Sequence, residues 1–181
     1  MSYKYLLALL KSGLTEEFFS ELRTSLIPFL DPAVYGRSTL ENSSFIATSV
    51  NPDPDTHGRG YVARLSGSTA EFLSMWMTMM AGKRIFRLHE GKLRLVLHPL
   101  LPGWLFDERG EVSFRFLGTT EVVYRNPQKK DTYGPNAASI RRLVVRRQDG
   151  SEQVVDGSVI EGQLAEEIRS GAVRRIEAEL A

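Results

Sequence analysis

The period of the apolar residues changes along this chain of 181 residues, and that change constrains its fold most. Before residue 82, apolar side chains recur at helical spacing, as in amphipathic helices. After residue 92 they alternate with polar ones, first at Leu93, Leu95 and Leu97, as in half-buried strands. The sequence therefore predicts an α+β protein in which helices come first and strands follow.

Two amphipathic helices are expected at the start, over residues 3–11 and 15–27, with Gly13 between them. Each can bury its apolar face only against another element, and the chain offers few further helices. We therefore expect these two helices to expose apolar surface that self-associates or binds a partner.

A third helix is expected over residues 72–80, and its apolar side chains cover most of its circumference: Phe72, Leu73, Met75, Trp76, Met77, Met79 and Met80. A helix that is apolar on all sides is normally buried. Ser68 and Glu71 have the spacing of a capping box, which predicts that Ser68 caps the helix.

The turn before this helix contains Ser66, Gly67 and Ser68. Free backbone N–H groups, hydroxyls and the positive end of the helix dipole suit an anion or a polar ligand. An ordinary turn and cap is an equally good interpretation of Ser66 and Gly67. Upstream, His57 and Arg59 lie in a proline- and glycine-rich loop that is either a ligand-binding loop or, as we prefer, a solvated one.

The second half contains short alternating segments separated by turn residues, at residues 93–97, 112–116, 120–125, 140–146, 152–155 and 172–180. This spacing is typical of an antiparallel β-sandwich. A brief helix over residues 163–170 is expected before the last strand. We accordingly predict a helical segment over residues 1–86 and a β-sandwich domain over residues 87–181.

Composition excludes several functions. A net charge of +1 gives no electrostatic reason for nucleic acid or a membrane as partner. The sequence has no cysteine, which excludes thiolate catalysis and agrees with the expected cytoplasmic location. It also has no phosphate-binding loop, no nucleophile elbow and no zinc-protease motif, so we expect no cofactor and no metal site.

An ordered series of short motifs runs through residues 38–162. Its members are Ser44 to Ala47, Asn51 to Pro54, Leu65 to Gly67, Gly82, Glu90 to Leu93, Pro99 to Trp104, Phe114 to Thr119, Arg125 to Pro127, and Asp149 with Gly150. In this order the chain resembles the C-terminal region of cellobiose phosphorylase-like proteins, which belong to the six-hairpin glycosidase superfamily.

The resemblance implies that residues 1–86 are equivalent to the end of an (α/α)6 barrel and that the antiparallel sandwich follows it. In the family the general acid is an aspartate on a much earlier helix, so the resemblance also implies that this chain lacks it. A chain of this kind would be inactive alone and would need the rest of a catalytic barrel as its partner.

The resemblance also assigns roles to residues. In the phosphorylases a threonine and a glycine before this helix hold the attacking phosphate, and Ser66 and Gly67 match them. Glu71 stands where cellobiose phosphorylase has tryptophan, and its charge would repel phosphate. In glucoamylase-type inverting hydrolases the general base is a glutamate in a setting like Ala70-Glu71-Phe72. Glu71 is therefore the candidate catalytic residue, and a structural cap is the alternative interpretation.

The expected function is the C-terminal portion of a glycoside phosphorylase or inverting hydrolase. Its ligand would be an oligosaccharide or inorganic phosphate, the latter as co-substrate, held by Ser66, Gly67, Ser68, His57 and Arg59. The alternative is a non-catalytic carbohydrate-binding or assembly module. A small intact enzyme is the third interpretation.

Overall fold

The structure is a computed structural model that describes residues 2–41, 43–62 and 67–181. The chain divides into two compact units, Met1–Trp76 and Met77–Ala181. The division falls inside a long helix, Gly67–Ala81, earlier in the chain than the boundary at residue 86 that the sequence suggests. The expected α+β order of helices followed by strands holds in part, because two short strands, Phe45–Ile46 and Gly60–Tyr61, precede this long helix.

The first unit opens with a helical hairpin, as predicted. Helix α1 (Ser2–Ser12) and helix α2 (Thr15–Ser25) pack against each other. Gly13 ends α1 with φ +82°, a conformation that glycine adopts without steric cost.

The apolar positions of these two helices are not exposed, so that expectation was wrong. Leu6, Leu10 and Phe18 have no exposed surface, and Phe19 is 4% exposed. The rings of Phe18 and Phe19 meet edge to face, with centroids 4.9 Å apart. The hairpin thus buries its apolar face within the chain.

Shorter elements complete the first unit: a 3-10 turn at Ile27–Phe29, helix α3 (Pro32–Tyr35), strand β1 (Phe45–Ile46), a 3-10 turn at Pro54–Thr56, strand β2 (Gly60–Tyr61) and the start of helix α4 (Gly67–Ala81). β1 and β2 form an antiparallel ribbon. The backbone of Gly60 lies against the buried ring of Tyr35, where a Cβ would overlap the ring.

The second unit contains two sheets and one helix. The first sheet has the order β3 (Phe86–His89), β4 (Lys92–Val96), β9 (Val159–Glu161). The second has the order β5 (Glu111–Phe116), β6 (Thr120–Arg125), β10 (Val173–Leu180), β7 (Ile140–Arg147), β8 (Glu152–Asp156). Helix α5 (Gln163–Arg169) follows β9, and a 3-10 turn spans Gly103–Leu105.

All six strands that the sequence predicts are present, as is the helix before the last strand. The larger sheet is mixed, however, because β10 pairs parallel with β6 and antiparallel with β7. The other strand pairs are antiparallel among the described residues.

One face of the larger sheet forms the core of the second unit. Its buried side chains include Phe114, Phe116, Val122, Tyr124, Leu143, Val145, Ile176 and Ala178. The ring of Phe86 stacks on that of Phe116 at 6.0 Å, so the two sheets touch through aromatic side chains. The Tyr124 hydroxyl donates to the Met80 carbonyl at 2.6 Å, and burial raises the pKa of this phenol. That bond ties the end of α4 to the sheet.

The opposite face of this sheet carries charged residues. Glu177 is only 9% exposed, and its carboxylate lies 2.9 to 3.2 Å from the guanidinium groups of Arg125, Arg146 and Arg175. Arg146 and Arg175 thus surround a nearly buried carboxylate instead of forming a fully solvated strand face.

Among the described residues, no helix is both long and apolar enough to cross a bilayer.

Candidate functional site

The proposed capping box at the start of α4 does not have the predicted geometry. The helix begins at Gly67, so the backbone of Ser68 is already helical, whereas an N-cap residue has non-helical dihedral angles. Glu71 consequently lies beyond the first turn, which has no acidic residue. The prediction of Ser68 as the cap and Glu71 as its partner is therefore wrong.

Two further predicted site residues belong to the same turn. Ser66 lies outside the described residues. Gly67 is the first residue of α4, and helical backbone there requires negative φ.

Helix α4 is largely exposed along its first half, over residues 69–74, and is buried or partly buried from Met75 to Ala81, which corrects the expectation of burial all round. Met75 is 1% exposed and Ala81 is fully buried. Phe72 and Leu73 are 38% and 55% exposed, and Glu71, which precedes them in the helix, is partly buried. The Phe72 ring contacts that of Tyr3, with centroids 6.4 Å apart. Glu71 thus stands beside an uncovered apolar surface.

The loop that contains His57 and Arg59 is organised by its own hydrogen bonds. Asp53 caps the turn by accepting from the Asp55 N–H at 3.1 Å, and Asn51 accepts from the Asp53 N–H at 3.0 Å. A ring nitrogen of His57 lies 2.8 Å from the Asn51 carbonyl oxygen. These are turn-forming contacts, so they favour the solvated-loop interpretation.

Arg59 lies directly before β2, and its side chain is exposed. Its carbonyl accepts from the Ala47 N–H at 3.0 Å, which continues the pairing of the β1–β2 ribbon. In the structure a ring nitrogen of His57 thus contacts Asn51, and Arg59 joins the ribbon through its carbonyl.

Among residues 2–41, 43–62 and 67–181, no group of three or more histidine and carboxylate side chains could hold a metal ion. The chemistry that this region offers is that of one partly buried carboxylate beside apolar and aromatic side chains.

Sequence reasoning missed a second surface feature in the first unit. The rings of Phe45 and Tyr61 stack across the ribbon, with centroids 5.3 Å apart and planes 14° apart. They are 53% and 37% exposed. Alternation along the two strands would have placed them on one face, but strands of two residues give too little pattern to detect.

The fold is that of an α+β chain in which a largely helical unit precedes a unit with one mixed and one antiparallel sheet. No model of a known protein family matches the chain, and no curated protein matches it significantly.

Proposed function

We propose that this chain is the C-terminal portion of a carbohydrate-active enzyme, a glycoside phosphorylase or an inverting glycoside hydrolase, and that it is inactive alone. In this proposal residues 1–86 correspond to the end of an (α/α)6 barrel and residues 87–181 to the sandwich that follows. The ordered motifs between residues 38 and 162 support it. So does the passage of α4 directly into a β-rich unit.

The exposed first half of α4 is the observation that carries the proposal. A helix that is apolar all round needs neighbours on every side. Here Phe72 and Leu73 have none over much of their surface. In a complete barrel, other helices would cover them.

The distribution of exposed apolar side chains along the chain also supports the proposal. Of the fifteen large apolar residues exposed among the described residues, eleven belong to the first unit. Large contiguous apolar surface on a folded protein marks an interaction site. The first unit is thus the part of the chain that we expect a catalytic partner to cover.

Glu71 would act at this covered surface. Inverting hydrolysis needs one carboxylic acid to protonate the leaving oxygen and one carboxylate to activate water. In this proposal Glu71 is the base, and the partner would supply the acid. If the reaction is phosphorolysis, inorganic phosphate replaces water and Ser66 with Gly67 would bind it.

Sedimentation velocity tests whether the α4 face is an interface. We expect the purified chain to self-associate with rising concentration, and we expect Leu73→Ser to return it to a monomer. Val154→Ser is the matched control, because Val154 is also 55% exposed but lies on β8. A wild-type chain that stays monomeric at every concentration would contradict the proposal.

The stacked pair of Phe45 and Tyr61 favours the second candidate, a non-catalytic carbohydrate-binding module. Flat aromatic faces attract the C–H face of a pyranose ring, since the π face is electron-rich. Chemical-shift titration with cellobiose would show this binding, and Tyr61→Ala should abolish it. Tyr5→Ala, at an exposed tyrosine in α1, should leave it unchanged.

A further inference from the structure

Strand β3 is an edge of the three-stranded sheet. Among the described residues, no strand pairs with the side of β3 that faces away from β4. The Val96 N–H donates to the Ile85 carbonyl at 2.8 Å, so residues 85 and 96 form a hydrogen-bonded pair. In an antiparallel ladder such pairs alternate with non-bonded ones. Phe86 and Leu88 are therefore the residues whose backbone groups point away from β4.

The other side of the sheet confirms this orientation. The Leu93 carbonyl accepts from the Gly162 N–H at 2.8 Å, on the side of β9. Leu93 is paired with Leu88 across the β3–β4 ladder. The backbone N–H and C=O of Leu93 point away from β3, so Leu88 and Leu93 are a non-hydrogen-bonded pair. The N–H and C=O of Leu88 therefore point toward the open edge. That edge offers donors and acceptors to an added strand.

The hairpin that contains this edge is basic. Residues 83–94 include five lysines and arginines and one glutamate. Arg87 lies directly opposite Arg94, and His89 lies opposite Lys92. Like charges in directly opposed positions destabilise a sheet.

Only part of this repulsion is offset within the chain. Arg94 pairs with Glu161 at 2.6 Å, and His89 lies 3.7 Å from Glu90. Among the described residues, no carboxylate forms an ion pair with Arg87 or Lys92, and both are exposed. The hairpin therefore retains positive charge that a negatively charged partner would stabilise.

An exposed apolar side chain lies on this edge strand. Leu88 is 77% exposed and lines an open depression of about 440 Å³ with Leu93, Glu166 and Arg169. Phe86, on the same face of the strand, is partly buried on Phe116. A strand added here would place alternate side chains over Leu88 and the others beside Arg87.

We propose that the open edge of β3 binds an extended acidic segment of a partner protein by β-strand addition. The segment would alternate apolar residues, which contact Leu88, with carboxylates, which face Arg87 and Lys92. Backbone hydrogen bonds to Phe86 and Leu88 would supply affinity, and the side-chain alternation would supply specificity. This surface is independent of α4 and of any glycosidic activity.

Fluorescence anisotropy with a short, end-capped peptide of alternating glutamate and valine tests the proposal. We expect saturable binding that weakens with salt. Arg87→Glu should weaken it about tenfold or more, since it replaces an attraction by a repulsion. Arg109→Glu is the control, because it makes the same charge change at an exposed turn and should leave the affinity within about twofold.

A second peptide separates strand addition from attraction to any polyanion. It has the same sequence, but the amides that would face β3 are N-methylated and cannot donate. We expect it not to bind. Equal binding of the N-methylated peptide, or of heparin in its place, would overturn the proposal, and so would no binding of the first peptide.

Folding of the variant is checked by thermal unfolding. Arg87→Glu places a glutamate opposite Arg94, so its melting temperature should not fall below that of wild type. If it does fall, Arg87→Gln removes the charge alone and should still weaken peptide binding. Unchanged binding by a folded Arg87→Gln variant would contradict the assigned role of Arg87.

Discussion

Replacing Glu177 by glutamine tests the charged face of the larger sheet. The substitution keeps the size of the side chain and removes its charge. Glu177 has a side chain that is 11% exposed, and its oxygens lie 3.1, 3.2 and 2.9 Å from Arg125, Arg146 and Arg175. Without the carboxylate, three guanidinium groups remain around a neutral amide, each with one other carboxylate at 2.6 to 3.5 Å, on Glu111, Glu152 and Glu121.

The magnitude follows from the burial of the partners. Removing one member of a fully buried ion pair costs about 3–5 kcal/mol. Here the three arginine side chains are 29–46% exposed, so water screens part of the repulsion. We therefore expect Glu177→Gln to lower the free energy of unfolding by about 2 kcal/mol.

Glu179→Gln is the matched control on the same strand. Glu179 pairs with Arg142 at 2.6 Å, but both side chains are close to half exposed, at 44% and 48%. An exposed pair contributes about 0.2–1 kcal/mol, so this variant should be nearly as stable as wild type.

Urea unfolding followed by far-UV circular dichroism measures both variants. The expected result is a lower midpoint for Glu177→Gln, with an unchanged dependence on urea concentration. Equal midpoints for the two variants would refute the reasoning, because it attributes the difference to the burial of Glu177.

Three further predictions concern single residues. Gly60→Ala should destabilise the first unit by about 1–3 kcal/mol in thermal unfolding, because the added Cβ overlaps the Tyr35 ring. Burial raises the pKa of Tyr124 above its unfolded value of 10.0, so the stability it contributes is complete below pH 10 and is lost as pH rises above it. Tyr124→Phe should reduce the loss of stability with pH in this alkaline range and cost about 1–3 kcal/mol at neutral pH, since the Met80 carbonyl loses its donor. Part of the alkaline dependence should remain, because burial first and the charge of Tyr35 second also raise the pKa of Tyr3. Glu71→Gln should change the free energy of unfolding measured in urea by less than about 0.5 kcal/mol, because Glu71 lies beyond the first turn of α4. A larger loss would restore a capping role.

The local sequence pattern was sufficient to predict most of the helices and strands. The alternation at Val112, Phe114 and Phe116 identified β5, and helical spacing identified the hairpin of α1 and α2. β3 and β9 were missed because each is short and half polar. The parallel pairing of β6 with β10 was also missed, since it joins segments about fifty residues apart and no local pattern encodes it.

The candidate site was harder to predict for the same reason. A serine three residues before a glutamate fits a capping box at Ser68 and Glu71, but the same residues fit equally inside a helix that begins earlier. The near burial of Glu177 could not be read from its own strand, where Glu177 and Glu179 follow the same alternation. It depends on arginines that the register of β6 and β7 brings to β10.

The dependence of catalysis on a partner is tested most directly by aryl-glycoside cleavage. The purified chain would be assayed with inorganic phosphate and without it, alone and mixed with the product of the adjacent upstream reading frame. We predict release only from the mixture, and loss of that release in Glu71→Gln. Release of the aryl group by the chain alone, abolished by Glu71→Gln, would contradict the account and establish a small intact enzyme.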